Sequence, residues 1–163
     1  MSGLIVHAIV EIPAGSRNKY EYDETSGRFV LKRVLHSPMH YPAEYGYVEG
    51  TLAPDGDPLD ILVLVTEATF PGCLIRARVV GVLDMADDKG KDHKLLAVPV
   101  SDPRYGGVNG LEDVHPHTLR EIAHFFQVYK DLENRKTIIE GWKGAADAAA
   151  VYEDSVERFA QTK

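Results

Sequence analysis

The run Asp55-Gly56-Asp57-Pro58-Leu59-Asp60 constrains this chain more than any other segment, because it places three carboxylates in six positions. Gly56 and Pro58 make it a constrained turn rather than part of a helix. Asp55 and Asp57 are two apart, so an extended backbone sends both side chains to one face. Like charges this close repel, and a fold keeps them where a cation, or a proton on one carboxyl, relieves the repulsion. Hard oxygen donors at short spacing favour magnesium, manganese or calcium over zinc or copper. The alternative is a solvated acidic turn. The flanks argue against it. Tyr41, Tyr45 and Tyr47 come just before, and the apolar run Ile61 to Val65 follows at once, which puts the acids at the mouth of a buried strand.

Around this turn the chain shows no internal repeat, low-complexity tract or linker, and its 163 residues suit one domain spanning 1–163. Residues 4–12 read as a strand ended by Pro13, and 18–23 with 28–35 as a hairpin joined by Glu24-Thr25-Ser26-Gly27. Further strands are expected near 46–51, 59–65, 73–84 and 93–100. Helical spacing predicts a helix over 117–132, with Leu119, Ile122, Phe126 and Tyr129 on one face and Leu132 following. A second helix over 145–160 carries the stripe Ala148, Tyr152, Val156 and Phe159. Many short strands before two late helices predict an α+β fold, a small β-barrel with helices packed outside.

The formal charge of −7 argues against nucleic acid as a partner, since phosphate backbones need a basic surface. No run approaches the ~18 apolar residues of a membrane span, and the N-terminal stretch lacks a charged region followed by an apolar one, so no membrane partner and a cytoplasmic location are expected. The single cysteine, Cys73, excludes an intramolecular disulfide. It falls in an expected buried strand, with nothing to make it reactive.

Other charged residues sit where strands can turn them toward a common site. Glu11 ends the first strand, Lys19 and Glu21 share a face of the next, and Arg33 lies on its hairpin partner. Asp87, Asp88 and Asp92 surround Gly90, with Lys94 beyond, and Tyr129-Lys130 closes the first helix. Each has an ordinary alternative: an exposed cross-strand pair, a polar hairpin loop, a cation at a helix end. Gathered in one cavity, Glu11, Glu21, Asp55, Asp57, Asp60, Asp87 and Asp92 with Lys19, Arg33, Lys94 and Lys130 carry a net −3. Such a cavity rejects phosphate alone and accepts a highly charged phosphate anion together with divalent cations.

At these residues the chain resembles the family I (soluble, magnesium-dependent) inorganic pyrophosphatases, of bacterial type. The Asp-Gly-Asp-Pro-Leu-Asp run is similar to that family's signature. The likeness extends to Val10-Glu11-Ile12-Pro13, Asn18-Lys19-Tyr20-Glu21, Tyr41-Pro42, Tyr45-Gly46-Tyr47, Val80-Gly81-Val82-Leu83, Asp87 to Lys94, His124-Phe125-Phe126 and Tyr129-Lys130-Asp131-Leu132-Glu133. The resemblance implies a five-stranded OB-like barrel flanked by helices. It implies that Asp55, Asp60 and Asp92 hold a first metal, Asp60 reaches a second, Asp87 with Asp92 holds one arriving with substrate, and Glu11 and Glu21 are outer or further ligands. Lys19, Arg33, Tyr45, Lys94, Tyr129 and Lys130 then contact the phosphates, and Asp57 is the general base; Asp88 ranks below Asp87. The implied reaction is hydrolysis of pyrophosphate to two orthophosphates by a metal-activated water, with about three or four Mg2+ per site and Mn2+ or Zn2+ as substitutes. The implied assembly is a homohexamer.

Rival readings are weaker on the residues. An EF-hand loop counted from Asp55 needs Gly sixth and Glu twelfth, where this chain has Asp60 and Thr66. An OB-fold that binds nucleic acid finds stacking platforms in Tyr41, Tyr45 and Tyr47 but no basic surface. A metal-binding OB-like module without hydrolase activity, or a phosphohydrolase with an organic substrate, stays open. His115 and His117 flank Pro116 as solvated residues at a helix start. His117, Arg120 and His124 share a helix face away from the core stripe, which suggests a subunit contact responsive to pH near ~6.5.

Overall fold

The computed structural model describes residues 3–162. Met1, Ser2 and Lys163, the ends of the expected unit 1–163, lie outside the described residues. In chain order the regular elements are Ile5–Ile12 (β1), Asn18–Asp23 (β2), Arg28–Val34 (β3), Glu44–Val48 (β4), Asp60–Val63 (β5), Leu74–Asp87 (β6), Gly90–Pro99 (β7), Pro116–Val128 (α1), Ile138–Lys143 (β8) and Ala145–Ala160 (α2). Three short 3-10 turns lie at Pro103–Tyr105, Leu111–Asp113 and Asp131–Glu133.

The strands β1-β4-β5-β7-β6 are hydrogen-bonded in that order, and β6 pairs back onto β1, so five strands close a barrel. Only the β5–β7 pair is parallel among them. Strand β8 continues the sheet beyond β6, and β2–β3 form a separate two-stranded hairpin. This is the expected OB-like barrel with C-terminal helices. The apolar runs of β5 and β7 follow from burial on both faces. Ile61 and Val63 pack in one buried cluster and Leu62 in another; Leu95 and Ala97 divide from Leu96 and Val98 in the same way. The first cluster takes in Ala148 of α2, the second Ile122, Phe125 and Phe126 of α1. Pro116 opens α1 because a first-turn residue needs no N–H partner, and the His115 ring caps the His117 N–H. No helix among the described residues is long and apolar enough to cross a membrane.

Several expectations need correction. Helix α1 stops at Val128 rather than at 132, because Lys130 leaves helical geometry (φ −107°) and Asp131–Glu133 turns tightly into left-handed Asn134 (φ 58°). Leu132 consequently points to solvent, 63% exposed. On α2, Ala148 and Ser155 are buried while Val156 is exposed. The 51–53 loop docks on that side, the Leu52 N–H donating to the Ser155 carbonyl. The strand expected near 46–51 lies at Glu44–Val48, its start hidden by an acid that is fully buried because it accepts from the Ala14 and Thr69 N–H groups. Strand β8 was not anticipated: Gly141 (φ 125°) interrupts its alternation and Ile138 is exposed. Cys73 precedes β6 and is partly buried rather than inside the strand. His117, Arg120 and His124 are exposed, as expected.

Gly46 is where β1 and β4 come closest. It pairs with Val10, next to the bulge that separates Val10 from Ile12, and a Cβ there would overlap the Ile9 carbonyl oxygen. Backbone atoms cannot swing aside as side-chain tips do. Gly46→Ala should therefore destabilise the fold by about 2–3 kcal/mol or more. An unchanged denaturant midpoint would show that the two strands can separate without loss.

Candidate active site

The barrel register brings three strands to one point. Asp60, the first residue of β5, pairs with Tyr47 of β4 on one side and Lys94 of β7 on the other. The Lys94 side chain shares the face of Leu96 and Val98 that packs against α1, and the residue is 1% exposed. Its ammonium donates to the Tyr45 hydroxyl (2.7 Å), Asp60 Oδ2 (2.9 Å) and Asp92 Oδ2 (3.2 Å). It also lies 5.0 Å from the ring centre of Phe126, a cation–π placement. Burial pushes the ammonium toward neutrality, but Asp60, Tyr45 and Asp92 more than reverse this, so Lys94 is held well above the usual lysine range. Burial raises the Asp92 carboxyl despite Lys94, and Asp60 raises it further. Burial and Asp60 likewise raise the Tyr45 phenol, and burial pushes Tyr129 up to about 12.

The acidic run forms a closed turn rather than an extended segment. The Asp57 N–H donates to Asp55 Oδ1 (2.9 Å), Ala53 donates to the Asp57 carbonyl (2.7 Å), and Gly56 adopts φ 93°. Thr51 anchors the exit: its buried hydroxyl donates to Val48 and accepts from the Leu59 N–H. Asp55 and Asp57 are exposed, and the Asp57 carboxylate forms no ion pair among the described residues. Asp55, Asp60 and Asp92 line a cavity of about 290 Å³ between the acidic turn and α2, which Lys19, Arg33, Lys94 and Lys130 do not line. Among the described residues no three acidic, histidine or cysteine side chains form a ready-made metal cage. Asp60 and Asp92 meet instead across the Lys94 ammonium.

The remaining residues divide by sign. On the hairpin, a bulge after Lys19 places it opposite Arg33, both partly buried, while Glu21 is exposed and bound to Lys32 (2.7 Å). Burial, then the charges of Arg33, Lys130 and Lys32, bring Lys19 down to about 8. Lys130 is lowered by burial and then by Arg135, Arg33 and Lys94, with Asp87 opposing. The three cations thus sense one another as a group. Glu11, near the end of β1, lies between the camps. Burial raises its carboxyl to about 7, against a hydrogen bond from the Tyr22 N–H (3.1 Å), and Asp60 and Glu21 push the same way as burial. Asp87 precedes the β6–β7 turn and accepts from the Lys89 N–H, while Asp88 is exposed and bound to Arg135.

The structure also brings in residues that the sequence did not single out. Glu133 binds Arg33 Nη1 at 2.9 Å with only 8% of its side chain accessible. Asp84, buried in β6, holds His93 (2.7 Å) and Lys143 (3.0 Å), and Phe126 floors the Lys94 ammonium. Helical spacing placed Phe126 on the core face. Glu133 and Asp84 gave no signal, since their partners lie on other elements.

The chain has extensive relatives. The family model described as inorganic pyrophosphatase matches residues 8–160. The inorganic pyrophosphatase of Geobacillus stearothermophilus is 54% identical over 159 residues, covering 98% of this chain and 96% of the relative. That of Halalkalibacterium halodurans is 55% identical over 155 residues, 95% of each. Among solved structures, the inorganic pyrophosphatase of Thermus thermophilus superposes with a TM-score of 0.93 at 40% identity, covering 95% of this chain and 91% of that one. The one from Coxiella burnetii gives 0.93 at 42% identity over 97% of each.

Glu11 generates a pH dependence of definite sign. Its carboxyl is raised from 4.5 to about 7, so between these values the folded chain keeps a proton that the unfolded chain releases. The stability associated with this group is full below pH 4.5 and is lost as pH rises through about 7. Glu11→Gln removes that loss. In chelator, its gain over wild type should be larger near pH 8 than near pH 5, by about 1–2 kcal/mol after discounting for solvent screening. Equal gains at both pH values in denaturant melts would contradict the shift.

Proposed function

The chain belongs to the inorganic pyrophosphatase family and hydrolyses inorganic pyrophosphate to two orthophosphates; we propose that it does so with divalent cations held by its aspartates and a water that gives its proton to Asp57. It is an inorganic diphosphatase, and its family is metal-dependent. That membership sets aside the reading as a metal-binding module without hydrolase activity.

The donor set suits a hard divalent cation. Asp55, Asp60 and Asp92 offer only oxygen and line one cavity, and burial, with Asp60 adding to it, raises the Asp92 carboxyl, whose charged form a cation would favour. These three would hold a first Mg2+, Asp60 also a second, and Asp87 with Asp92 one that enters with pyrophosphate; Glu11 and Glu21 would serve as outer or further ligands, for about three or four ions in all, with Mn2+ or Zn2+ as substitutes. When bound, the cations supply positive charge at phosphate oxygens and a water of lowered pKa.

The chain's own residues do the rest. Asp57, exposed and free of ion pairs, takes or orients the proton of the attacking water as the new P–O bond forms. Arg33 and Lys130 hold the leaving phosphate as charge shifts onto it. Lys19, Tyr45, Lys94 and Tyr129 fix the outer oxygens, and no covalent enzyme intermediate is needed. The observation that carries this reading is the buried Lys94 ammonium, which touches Asp60, Asp92 and Tyr45 at once.

The same reading extends to residues 1–163 as one catalytic unit in the cytoplasm, with no nucleic acid or membrane partner given the −7 charge, and to a homohexamer. Exposed apolar side chains such as Ile5, Leu74 and Ile138 favour association. Sedimentation should show a species six times the 18.0 kDa chain; a monomer at working concentration would remove the hexamer.

Phosphate release from pyrophosphate should require magnesium, stop in chelator, and far exceed release from ATP, polyphosphate or p-nitrophenyl phosphate. Folded protein that released nothing with metal present would overturn the assignment. Asp57→Asn should lower turnover by ~10²–10⁴ and leave metal binding largely intact. Turnover near wild type would take the base role from Asp57.

A further inference from the structure

We propose that Glu133 is a positioning residue for this reaction: its buried carboxylate tethers one tip of the Arg33 guanidinium and leaves the other donors for the leaving phosphate. The inference rests on the proposed contact between Arg33 and phosphate.

Arg33 stands on β3, part of a two-stranded sheet that is not hydrogen-bonded into the barrel. Its position relative to the phosphate-binding residues of the barrel and α1 therefore depends on ties that cross between the two bodies. Glu133 provides such a tie from the tight turn that follows Tyr129-Lys130. Backbone bonds fix that turn. Glu133 and Arg135 both donate to the Lys130 carbonyl (3.0 and 3.2 Å), and Asn134 donates to Asp131 (3.0 Å). The carboxylate thus hangs from a rigid support whose other product is the placement of Lys130.

The form of the pair is as telling as its location. An arginine and a carboxylate meeting for stability alone favour two parallel hydrogen bonds. Here a single ion-pair contact joins Arg33 Nη1 to Glu133 Oε1 (2.9 Å), while Arg33 Nε and Glu133 Oε2 are buried with no hydrogen-bond partner. A buried polar atom left without a partner is unfavourable, so the arrangement is not the one that maximises stability. It is one that holds a guanidinium at a single corner with several of its five donors uncommitted. Lys19 faces the same residue across the hairpin, and Lys130 adds its charge nearby. Without an anion to hold it, Arg33 would be repelled from both. Glu133 supplies that anion on the side away from solvent.

A double-mutant cycle separates positioning from simple support. Glu133→Gln keeps the shape and removes the charge. It should lower kcat by about tenfold or more, with KM for magnesium pyrophosphate changed by no more than about twofold and the thermal midpoint near wild type. Arg33→Ala should lower activity by itself, and Glu133→Gln should cost nothing further in the Arg33→Ala background, within about twofold. Where Glu133→Gln does not fold, Glu133→Asp, which retracts the carboxylate, carries the same cycle. Wild-type kcat in the Glu133 variant, or its full loss repeated in the Arg33→Ala background, would overturn the proposal while leaving Arg33 in place. Wild-type activity in Arg33→Ala would remove the phosphate contact itself, and the positioning role with it.

Discussion

A lysine ammonium sealed between a barrel wall and a helix is tolerable only if anions and dipoles replace the water it has lost. Lys94 meets that condition with atoms from three strands and a helix: Asp60 from β5, Tyr45 from β4, Asp92 from its own β7, and the Phe126 ring from α1. Each must arrive in register, and the parallel pairing of Asp60 with Lys94 is the step that sets it. A slip of one residue in β5 would exchange Asp60 for an apolar neighbour and turn the strand's buried set over. The register of the barrel and the assembly of the acidic site are one constraint.

The same interaction explains why the site is left wanting a cation. Burial raises the Asp92 carboxyl, Lys94 offsets this only in part and Asp60 adds to it, a penalty on the charged form that a cation would relieve. On the hairpin and at the end of α1 the charges have the opposite sign: burial, and then neighbouring cations with Arg33 among them, lower the proton affinity of Lys19 and Lys130. Burial is the largest influence on both Glu11 and Lys19, so neither sign is well solvated. A carboxyl near 7 and an amine near 8, on adjacent strands, describe a cleft that favours neutral side chains until counter-charges enter. A divalent cation and a phosphate anion arriving together satisfy both halves. Either alone would aggravate one of them.

Much of this was legible in the chain because the signals are local. Gly56 and Pro58 announce a turn wherever they occur, and alternation in 18–23 and 28–34 announces a hairpin. Doubly buried strands read as unbroken apolar runs, as in Ile61 to Val63. Legibility failed where a residue's meaning depends on a distant partner. Asp84 interrupts an apolar run and reads as an anomaly until His93 and Lys143 are seen beside it; Lys143 belongs to β8, which Gly141 disguises. Glu44 hid the start of β4 for a similar reason, since its partners at Ala14 and Thr69 lie on separate loops. Val156 and Leu132 show the complementary error. Helical spacing carried the expected faces one turn past the point where a docked loop or a left-handed residue changes the surroundings.

In the proposed mechanism, Lys94 and Asp57 would divide the labour of the site. Electrostatic anchors gain strength from desolvation, because the same charge acts further in a medium that water does not screen. Lys94 is accordingly buried, its ammonium held by oxygens of Tyr45, Asp60 and Asp92. A base has the opposite need. It must lose its proton to solvent after each turnover, so it cannot be locked in an ion pair or sealed from water. Asp57 lies exposed on a turn whose backbone is pinned by Asp55 and Ala53 while its carboxylate is left unpaired. A rigid backbone beneath a free side chain fixes where the carboxylate can reach without fixing its charge. Of the three aspartates in the turn, this combination suits Asp57 to proton transfer. It leaves Asp55 and Asp60, which face the cavity shared with Asp92, to hold charge in place.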